Sequence, residues 1–280
     1  MRHNAVVPRL VRGIQRGCFV VGLLTTTAHA ESELNLAKTF QNPLGINPEA
    51  RYYTLPFVNY TNMDYGTNKN TQDMLDLKPV MPLPLTSSLD LIVRTIIPLT
   101  HQASTHGYIN GLGDINPTLF IAPSMNNWFT WGVGPTVVMP TATNKALGAG
   151  KWSIGPELVL IAMPNQWTFA LLTNNIWSIA GDANRSTVNE LTFQYFITYN
   201  FPRGWYVTTQ PQLTSMWFNK PGEKWTVPFG GGVGRSFQID KQKLNFLAQY
   251  YYNTIRPSTG AHWTIQLTLE FLFPDNRTHY

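Results

Sequence analysis

The sequence predicts an all-β protein, a transmembrane antiparallel up-and-down β-barrel of about twelve strands, and three observations support this fold class. Only 12% of the 280 residues are charged, about half the usual share, whereas 13% are aromatic. Segments in which apolar and polar residues alternate recur along the chain, as expected of strands whose two faces meet different surroundings. The connections between these segments are alternately short and long, which is typical of membrane barrels.

Residues 1–30 predict a secretory signal peptide. A region with four arginines precedes the short apolar stretch 18–24, and Ala28-His29-Ala30 matches an A-x-A cleavage site. The apolar stretch is much shorter than the roughly 20 residues of a membrane-spanning helix. Cleavage would remove Cys18, the only cysteine, and would leave 16 basic and 15 acidic residues. The remaining charge gives no support to nucleic-acid binding.

The rest of the chain divides into an N-terminal segment (31–50), the barrel (51–274) and a C-terminal tail (275–280). Residues 34–41 have the composition of a short helix before the first strand. Such a segment either enters the lumen as a plug or stays a disordered periplasmic tail, and the sequence leaves both alternatives open.

The strands are identified by their period of two. The clearest runs from Trp263 to Phe273, where large apolar residues occupy every second position. Eleven residues tilted by about 45° are long enough to cross the apolar core of a bilayer. The twelve predicted strands are approximately 52–60, 74–85, 88–98, 114–123, 128–139, 151–163, 166–178, 190–199, 204–217, 224–239, 244–253 and 263–273.

The connections provide an independent check on this assignment. Short connections at 86–87, 124–127, 164–165, 201–204 and 240–242 predict periplasmic turns. The longer connections predict extracellular loops at 61–73, 99–113, 141–150, 179–187, 218–223 and 256–261. Strict alternation of the two kinds fits an even-stranded barrel with both termini in the periplasm.

All nine tryptophans fall at predicted strand ends, where amphipathic rings favour the membrane interface. Those at the turn ends are Trp128, Trp131, Trp167 and Trp205, and those at the loop ends are Trp152, Trp177, Trp217, Trp225 and Trp263. They predict two aromatic girdles in contact with outer-membrane lipids. A soluble β-sandwich or lipocalin-like barrel would also alternate, but its outward face should be charged, which the faces here are not.

Two features fit the pattern less well. Prolines lie inside predicted strands, for example Pro79, Pro135 and Pro156, although proline cannot donate a ladder hydrogen bond. Arg235 falls on the lipid face by simple alternation. A β-bulge in the glycine run 230–232 would turn Arg235 inward, and we expect a bulge there.

Several segments resemble a family of outer-membrane proteins, the MetA-pathway of phenol degradation family, whose members are often labelled transporters. The segments that carry the resemblance are 111–114 (GLGD), 150–156 (GKWSIGP), 177–182 (WSIAGD), 225–234 (WTVPFGGGVG), 251–257 (YYNTIRP) and 271–274 (FLFP), together with 36–38 (LAK) and 42–43 (NP). The resemblance implies an outer-membrane barrel associated with the degradation of aromatic compounds, and it transfers no catalytic or ligand-binding residue. The tail 275–280 departs from the usual barrel end on a strand-terminal aromatic, a place that Phe273 takes here.

Alternation assigns a set of charged residues to the lumen: Asp76, Lys78, Asp90, Arg94, Glu157, Glu190 and Glu270. Opposite charges that line a pore create a transverse field that orients polar solutes, while a packed lumen uses the same residues as internal salt bridges. Phe196 and Tyr251 fall on the same faces and would suit an aromatic solute or merely fill space.

An enzyme is not expected. His101, His106 and Asp114 lie in or beside one predicted loop and His262 borders another, but nothing places a nucleophile beside a base. The histidine spacing offers no convincing metal site, so we predict no catalytic residue, no metal and no cofactor.

Two functions remain. One is an outer-membrane channel or transporter for small solutes, hydrophobic or aromatic compounds among them, and the other is a closed barrel with a structural or surface-interaction role. The predicted partners are outer-membrane lipids, a small-molecule solute and, during biogenesis, the barrel-assembly machinery, and nucleic acid is not among them.

Overall fold

The computed structural model describes residues 34–36, 38–42, 52–104, 107–124 and 128–274. The predicted signal peptide, His106 and the C-terminal tail lie outside these residues. Among the described residues, no helix is long and apolar enough to cross a membrane.

The described chain is built almost entirely of strands, with helical residues at 34–36 and 38–40 and one 3-10 turn, η1 (Pro202–Gly204). The strands are β1 (Tyr52–Tyr65), β2 (Asn70–Leu77), β3 (Val80–Pro84), β4 (Leu89–Ser104), β5 (Gly107–Leu112), β6 (Asn116–Pro123), β7 (Phe129–Val138), β8 (Lys151–Ala162), β9 (Trp167–Gly181), β10 (Asn189–Asn200), β11 (Trp205–Thr209), β12 (Gln212–Met216), β13 (Trp225–Ile239), β14 (Gln242–Ile255) and β15 (Trp263–Pro274).

These strands form one closed antiparallel sheet. Neighbouring strands around the barrel follow one another along the chain, and β15 closes the barrel on β1 with a continuous register from Tyr52↔Pro274 to Met63↔Trp263. β2 with β3, β5 with β6, and β11 with β12 are each one transmembrane strand with a short interruption, because each such pair lies along the same neighbour. The predicted twelve-stranded barrel is thereby confirmed.

The alternation of apolar and polar residues in the sequence corresponds to the outer and inner faces of the barrel wall. On β15 the side chains of Ile265, Leu267 and Leu269 are exposed on the outer face, whereas Thr268 and Glu270 are buried inside. The apolar outer face faces lipid, so its exposure to a solvent probe does not conflict with the hydrophobic effect.

Two predicted extracellular loops are wrong. The loop predicted at 61–73 is mostly strand, because β1 continues to Tyr65 and β2 starts at Asn70. The loop predicted at 99–113 is mostly a hairpin between the end of β4 and β5, and this places His101 in a strand. Alternating hydrophobicity ends where the strands leave the bilayer, whereas backbone pairing continues beyond it, so the pattern alone ends these strands too early.

Four of the prolines lie at interruptions of the sheet or face one another. Pro79 separates β2 from β3, and Pro211 separates β11 from β12. Pro135 of β7 lies directly opposite Pro156 of β8. A proline has no amide proton for the ladder, so these are positions at which the sheet tolerates one.

The bulge expected in the glycine run is not there. β13 keeps an unbroken register with β14 from Pro228↔Asn253 to Ile239↔Gln242, and the shift lies at Val227/Pro228 instead. Arg235 therefore stays on the outer face, with its guanidinium 5.3 Å from the ring centroid of Trp205. At the membrane interface an arginine can extend its charge to the headgroups, so no turn into the lumen is needed.

Candidate functional site

The candidate site is the lumen, which contains three adjoining cavities. The outermost, of about 660 Å³, lies beneath the extracellular connections and is lined by residues such as Asn184 and Phe218. A second of about 340 Å³ lies against β1, β2 and β14, and a third of about 230 Å³ reaches down to Phe40 and Gln41 of the N-terminal segment. Gln212 lines all three, so they adjoin one another at this side chain.

An apolar cluster packs one side of the periplasmic half of the lumen, along β3 to β9, and the third cavity continues past it. Its buried members are Val80, Ile92, Phe120, Ala122, Val159, Ile161, Met163, Ala170 and Leu172, and Phe196 packs against them. Close packing of this kind leaves no room for water and contributes the hydrophobic stability of a soluble core. The sequence analysis expected mainly polar inward faces and missed this cluster.

A signal for the cluster is nevertheless present in β8. From Leu158 to Met163 every residue is apolar, so both faces of the strand are apolar there. A continuous apolar run indicates a strand buried on both sides. In this barrel one side faces lipid and the other faces the cluster.

The described part of the N-terminal segment lies at the periplasmic end of the barrel. Gln41 and Asn200 exchange two amide hydrogen bonds of 2.6 and 3.1 Å. Lys38 Nζ donates to the carbonyl oxygen of Met163 at 3.2 Å. Phe40 packs with Tyr52 and Leu272, with Leu36 against them. These contacts connect the segment to strands on different sides of the barrel.

Arg94 and Glu157 form a buried ion pair at the boundary between the apolar cluster and the cavities. Arg94 Nη2 donates to Glu157 Oε1 at 2.9 Å, and Thr118 Oγ1 donates to the other carboxylate oxygen at 2.8 Å. The Glu157 side chain is 0% exposed and that of Arg94 is 14% exposed. The guanidinium also lies 5.8 Å from the ring centroid of Phe120, so it borders the apolar cluster.

Lys78 and Asp76 form a second pair on β2 and just beyond it. Their charged groups lie 3.1 Å apart, and Lys78 Nζ donates to Tyr60 Oη at 2.7 Å. Both residues border the second cavity, and Lys78 also borders the third. Because the ammonium has an acidic partner beside it, it presents little net charge to the cavity.

The other predicted lumen residues lie at three different heights. Asp90 is fully buried near the periplasmic end and accepts a hydrogen bond from Ser124 Oγ at 3.0 Å. Glu270 is buried beside the third cavity, and Glu190 lines the outermost one. The seven charged residues therefore do not form one continuous ring.

Amide side chains line much of the cavity surface, and the sequence analysis did not single them out. Asn116, Asn174, Thr192 and Gln212 border both the first and the third cavities. Gln194, Gln210 and Gln266, again with Gln212, border the second and the third. Amides donate and accept hydrogen bonds without net charge, so this lining favours uncharged polar groups.

The connection between β7 and β8 is fixed across the extracellular mouth. Asp114 accepts backbone hydrogen bonds from Ala142 at 3.1 Å and from Ala149 at 2.6 Å. On the opposite side, Arg185 donates to the carbonyl oxygens of Gly148 and Ala149. Asp114 and Arg185 border the outermost cavity, so this anchored loop narrows its entrance.

The described histidines contact neighbouring side chains that stabilise the fold. His101 stacks on Tyr108 with ring centroids 4.8 Å apart and contacts Asn110. His262 Nδ1 lies 3.2 Å from Asp64 Oδ2 near the extracellular end of β1. Among the residues that the structure describes, no group of three metal-ligating side chains is found.

The predicted girdle tryptophans lie on the outer wall. Trp225 packs edge-on against Trp217 with centroids 5.9 Å apart, and Trp263 packs against Tyr250 and Tyr252. The exposed members are Trp128, Trp131, Trp152, Trp167, Trp177, Trp205 and Trp217, and the other two are partly buried.

The fold has been seen before. The chain is similar to the crystal structure of an outer-membrane channel from Pseudomonas putida F1, with TM-score 0.63 and 16% sequence identity over 80% of this chain and 94% of that one. The monoaromatic hydrocarbon channel CymD is a more distant match, with TM-score 0.47 and 10% identity over 86% of this chain and 93% of that one. Outer membrane phospholipase A from Escherichia coli gives 0.45 and 12%, over 87% and 97%.

Identities this low show a shared fold alone. No protein-family model matches the chain, and no curated relative matches it in sequence. The protein is a bacterial outer-membrane β-barrel, as predicted. A likeness of fold does not by itself decide between transport and catalysis.

Proposed function

We propose that this barrel is a channel for small uncharged solutes, hydrophobic and aromatic compounds among them. The observation that carries the proposal is the lumen itself, in which adjoining cavities of about 660, 340 and 230 Å³ extend from the extracellular loops to the N-terminal segment. The two larger volumes lie within the usual range for small-molecule sites, and the smallest lies somewhat below it.

The lining supports uncharged solutes. Arg94 and Lys78 each have an acidic partner within about 3 Å, and most of the remaining cavity surface is amide, hydroxyl or aromatic. Tyr60, Tyr65 and Tyr251 turn aromatic surface toward the second cavity. The lining therefore combines polar groups that orient a solute with rings on which an aromatic solute can stack.

The N-terminal segment would act as the periplasmic gate of this channel. Its contacts with Asn200 and Met163 lie below the third cavity, at the end opposite the loops. The resemblance to the phenol degradation family agrees with aromatic solutes, and the similarity in fold to an outer-membrane channel agrees with transport. Outer-membrane lipids at the girdles and the barrel-assembly machinery during biogenesis complete the set of proposed partners.

Solute entry into proteoliposomes tests the proposal. Vesicles that contain the refolded protein should swell in isotonic arabinose, and Phe40→Ala should swell faster because it loosens the gate. The matched control is Tyr53→Ala. Tyr53 follows the gate contact Tyr52 on β1, and this variant should swell at the parental rate. Vesicles that contain folded barrel and do not swell, with or without Phe40→Ala, would leave the closed structural barrel as the function.

Cysteine labelling provides a second measurement. A water-soluble thiol reagent should label a cysteine at Gln266, which borders two cavities, and should spare one at Leu267, which faces lipid. Equal labelling of the two positions would show that the assignment of Gln266 to the lumen and of Leu267 to the lipid face is wrong.

A further inference from the structure

Arg235 is the only charged residue of β13, and its side chain lies on the lipid-facing surface of the barrel. In the ladder between β11 and β13 it lies opposite Trp205, whose ring is exposed on the outer wall. The neighbouring pair faces the other way, because Tyr206 is buried in the lumen opposite Gly234. A charge that borders hydrocarbon is costly, so this arginine needs a partner for its guanidinium.

The protein does not supply that partner. None of the ion pairs between described residues includes Arg235, and none of the hydrogen bonds between them involves its guanidinium. Its one described side-chain contact is the Trp205 ring, 5.3 Å away. Lys243, at the same end of the barrel, differs because its Nζ donates to Tyr52 Oη at 2.9 Å. The N–H donors of Arg235 are therefore available to a partner outside the barrel.

Arg235 lies at the level of the periplasmic girdle. Trp205 is the first residue of β11 and follows the turn η1 directly. On the other side of this turn, the ring centroid of Phe201 lies 4.9 Å from that of Tyr199, which lies 4.9 Å from that of Trp167. Aromatic rings of this kind gather at the level of the lipid headgroups. The guanidinium is therefore within reach of the phosphates of the inner leaflet.

Two further cations lie beside Arg235 at the periplasmic end. Of the five periplasmic connections, only those before β11 and after β13 contain charged residues, which are Arg203, Asp240 and Lys241. β11 and β13 pair with each other, so these two connections are neighbours. Arg203, Arg235 and Lys241, which we call the basic patch, are all exposed. With Asp240 they amount to three cations and one acid, or +2, whereas the other three connections carry no charge.

The turn η1 packs directly onto β13. The backbone of Gly204 lies so close to the carbonyl oxygen of Ser236 that an added Cβ would collide with it. Arg203 precedes Gly204, and Arg235 precedes Ser236. The backbone therefore places the two arginines near each other, and their proximity does not depend on a loose loop.

The outer wall has short side chains next to Arg235 on the side of the membrane midplane. The next outward positions of β13 are Val233 and Gly231. Across the β13–β14 ladder, Phe246 lies opposite Arg235 and Tyr250 lies opposite Gly231, and both rings are 46% exposed. An acyl chain that runs along β13 would contact the sides of these rings, and such contacts add up to a substantial dispersion energy.

From these observations we propose that the basic patch binds an anionic phospholipid of the inner leaflet, with its phosphate on Arg235 and one acyl chain along β13. A guanidinium is a planar fork that matches two oxygens of a phosphate, and the ring of Trp205 holds it in place. Arg203 and Lys241 add charge that favours a net negative headgroup, such as phosphatidylglycerol, over a zwitterionic one. The site lies outside the lumen, so it does not depend on the proposed channel.

A lipid titration followed by native mass spectrometry tests the site. The refolded barrel in detergent should bind phosphatidylglycerol about tenfold more tightly than phosphatidylcholine with the same acyl chains, because only the former is net negative. Arg235→Gln should bind phosphatidylglycerol about tenfold more weakly than the parent, as expected for the loss of a charge-assisted hydrogen bond. Arg235→Lys keeps the charge without the fork, so its affinity should lie between the two.

The matched control is Lys220→Gln. Lys220 is an exposed cation in the connection between β12 and β13, at the extracellular end, so its substitution removes the same charge far from the site. This variant should bind phosphatidylglycerol with the parental affinity. Glycerol 3-phosphate carries the phosphate without acyl chains and should compete about 100-fold more weakly than the lipid, because each buried CH₂ group contributes to the affinity. Heat-modifiable mobility on gels verifies that each variant is folded.

Three results would overturn the lipid site. They are equal affinity of the parent for the two lipids, equal losses in Arg235→Gln and Lys220→Gln, and competition by glycerol 3-phosphate at the concentration of the lipid. The last would indicate a site for free phosphate instead of a lipid. If Arg235→Gln does not fold, Arg203→Gln with Lys241→Gln changes only the exposed connections and should reduce the preference for phosphatidylglycerol. An unchanged preference in that double variant would overturn the site as well.

Discussion

The two halves of the lumen are built differently. The periplasmic half along β3 to β9 is packed with apolar side chains around Phe120 and Ile161, as in a soluble core. The extracellular half holds open cavities lined by amides such as Asn174 and Gln212. The barrel therefore separates two tasks that a uniform pore would combine: the packed side of the periplasmic half contributes stability, and the cavities, which continue past it to Phe40, leave room for a solute.

The Arg94–Glu157 pair lies where these halves meet. It faces the third cavity on one side and the Phe120 ring on the other. An ion pair at such a boundary is largely shielded from water, so removing one partner leaves the other charge buried and unpaired. Among substitutions in the lumen, we expect this one to lower the free energy of unfolding most.

Arg94→Ala should lower the free energy of unfolding by about 3–5 kcal/mol, because it leaves the fully buried Glu157 carboxylate without its cation. Urea unfolding in lipid vesicles, followed by tryptophan emission, measures the change. Replacing both partners, Arg94→Met with Glu157→Leu, should recover most of the loss, since no unpaired charge remains. A single variant as stable as the parent would show that water reaches the pair and that the boundary lies lower.

Ile161→Ala should cost about 2–5 kcal/mol, because it opens a cavity in the packed periplasmic half. Ile154 on the same strand provides the control: it faces lipid, which can fill the space that Ile154→Ala leaves. The same unfolding measurement compares the two. Equal losses of unfolding free energy at Ile161 and Ile154 would mean that side chains in the apolar cluster are packed no more tightly than side chains against lipid.

The sequence was sufficient for the twelve strands but not for the contrast between the halves. The alternation of apolar and polar residues, as around Leu267, distinguishes the lipid face of a strand from its lumen face. Counting the segments that alternate in this way gives the number of strands, and the strands close into a barrel. Alternation does not indicate whether an inward residue meets water or another side chain. That depends on which strands face one another across the lumen, and Arg94 meets Glu157 from 63 positions away.

The interruptions were only partly predictable. Pro79 was recognised as a poor fit, but Pro211, which separates β11 from β12, was not, because the break is visible only once both pieces are paired with β10 and β13. Arg235 shows the opposite case, because simple alternation was right and the expected bulge was wrong.

Gly234→Ala should cost about 1–3 kcal/mol by overpacking. A Cβ at this position would lie 2.2 Å from Tyr206 Cζ, and that ring is buried with its hydroxyl bonded to Asn245 at 2.8 Å, so it cannot easily move. The double variant Gly234→Ala with Tyr206→Leu should regain part of the loss. If Gly234→Ala unfolds at the parental urea concentration, the ring has space to shift and this side of the lumen is looser than the cluster.

Gln212→Ala should have the smallest effect on stability and a clear effect on transport. Gln212 is exposed to the lumen and borders all three cavities, and substitutions at exposed positions usually change the free energy of unfolding by less than about 0.5 kcal/mol. Removing the amide widens the point at which the cavities join and takes away a hydrogen-bonding group, so arabinose swelling should change while the urea midpoint does not. Ser215→Ala on the same strand is the control, because Ser215 is buried and turned away from the lumen, and it should leave swelling unchanged. A Gln212→Ala barrel with the parental swelling rate would show that the solute path avoids this junction, and one with strongly lowered stability would show that the extracellular half is packed after all.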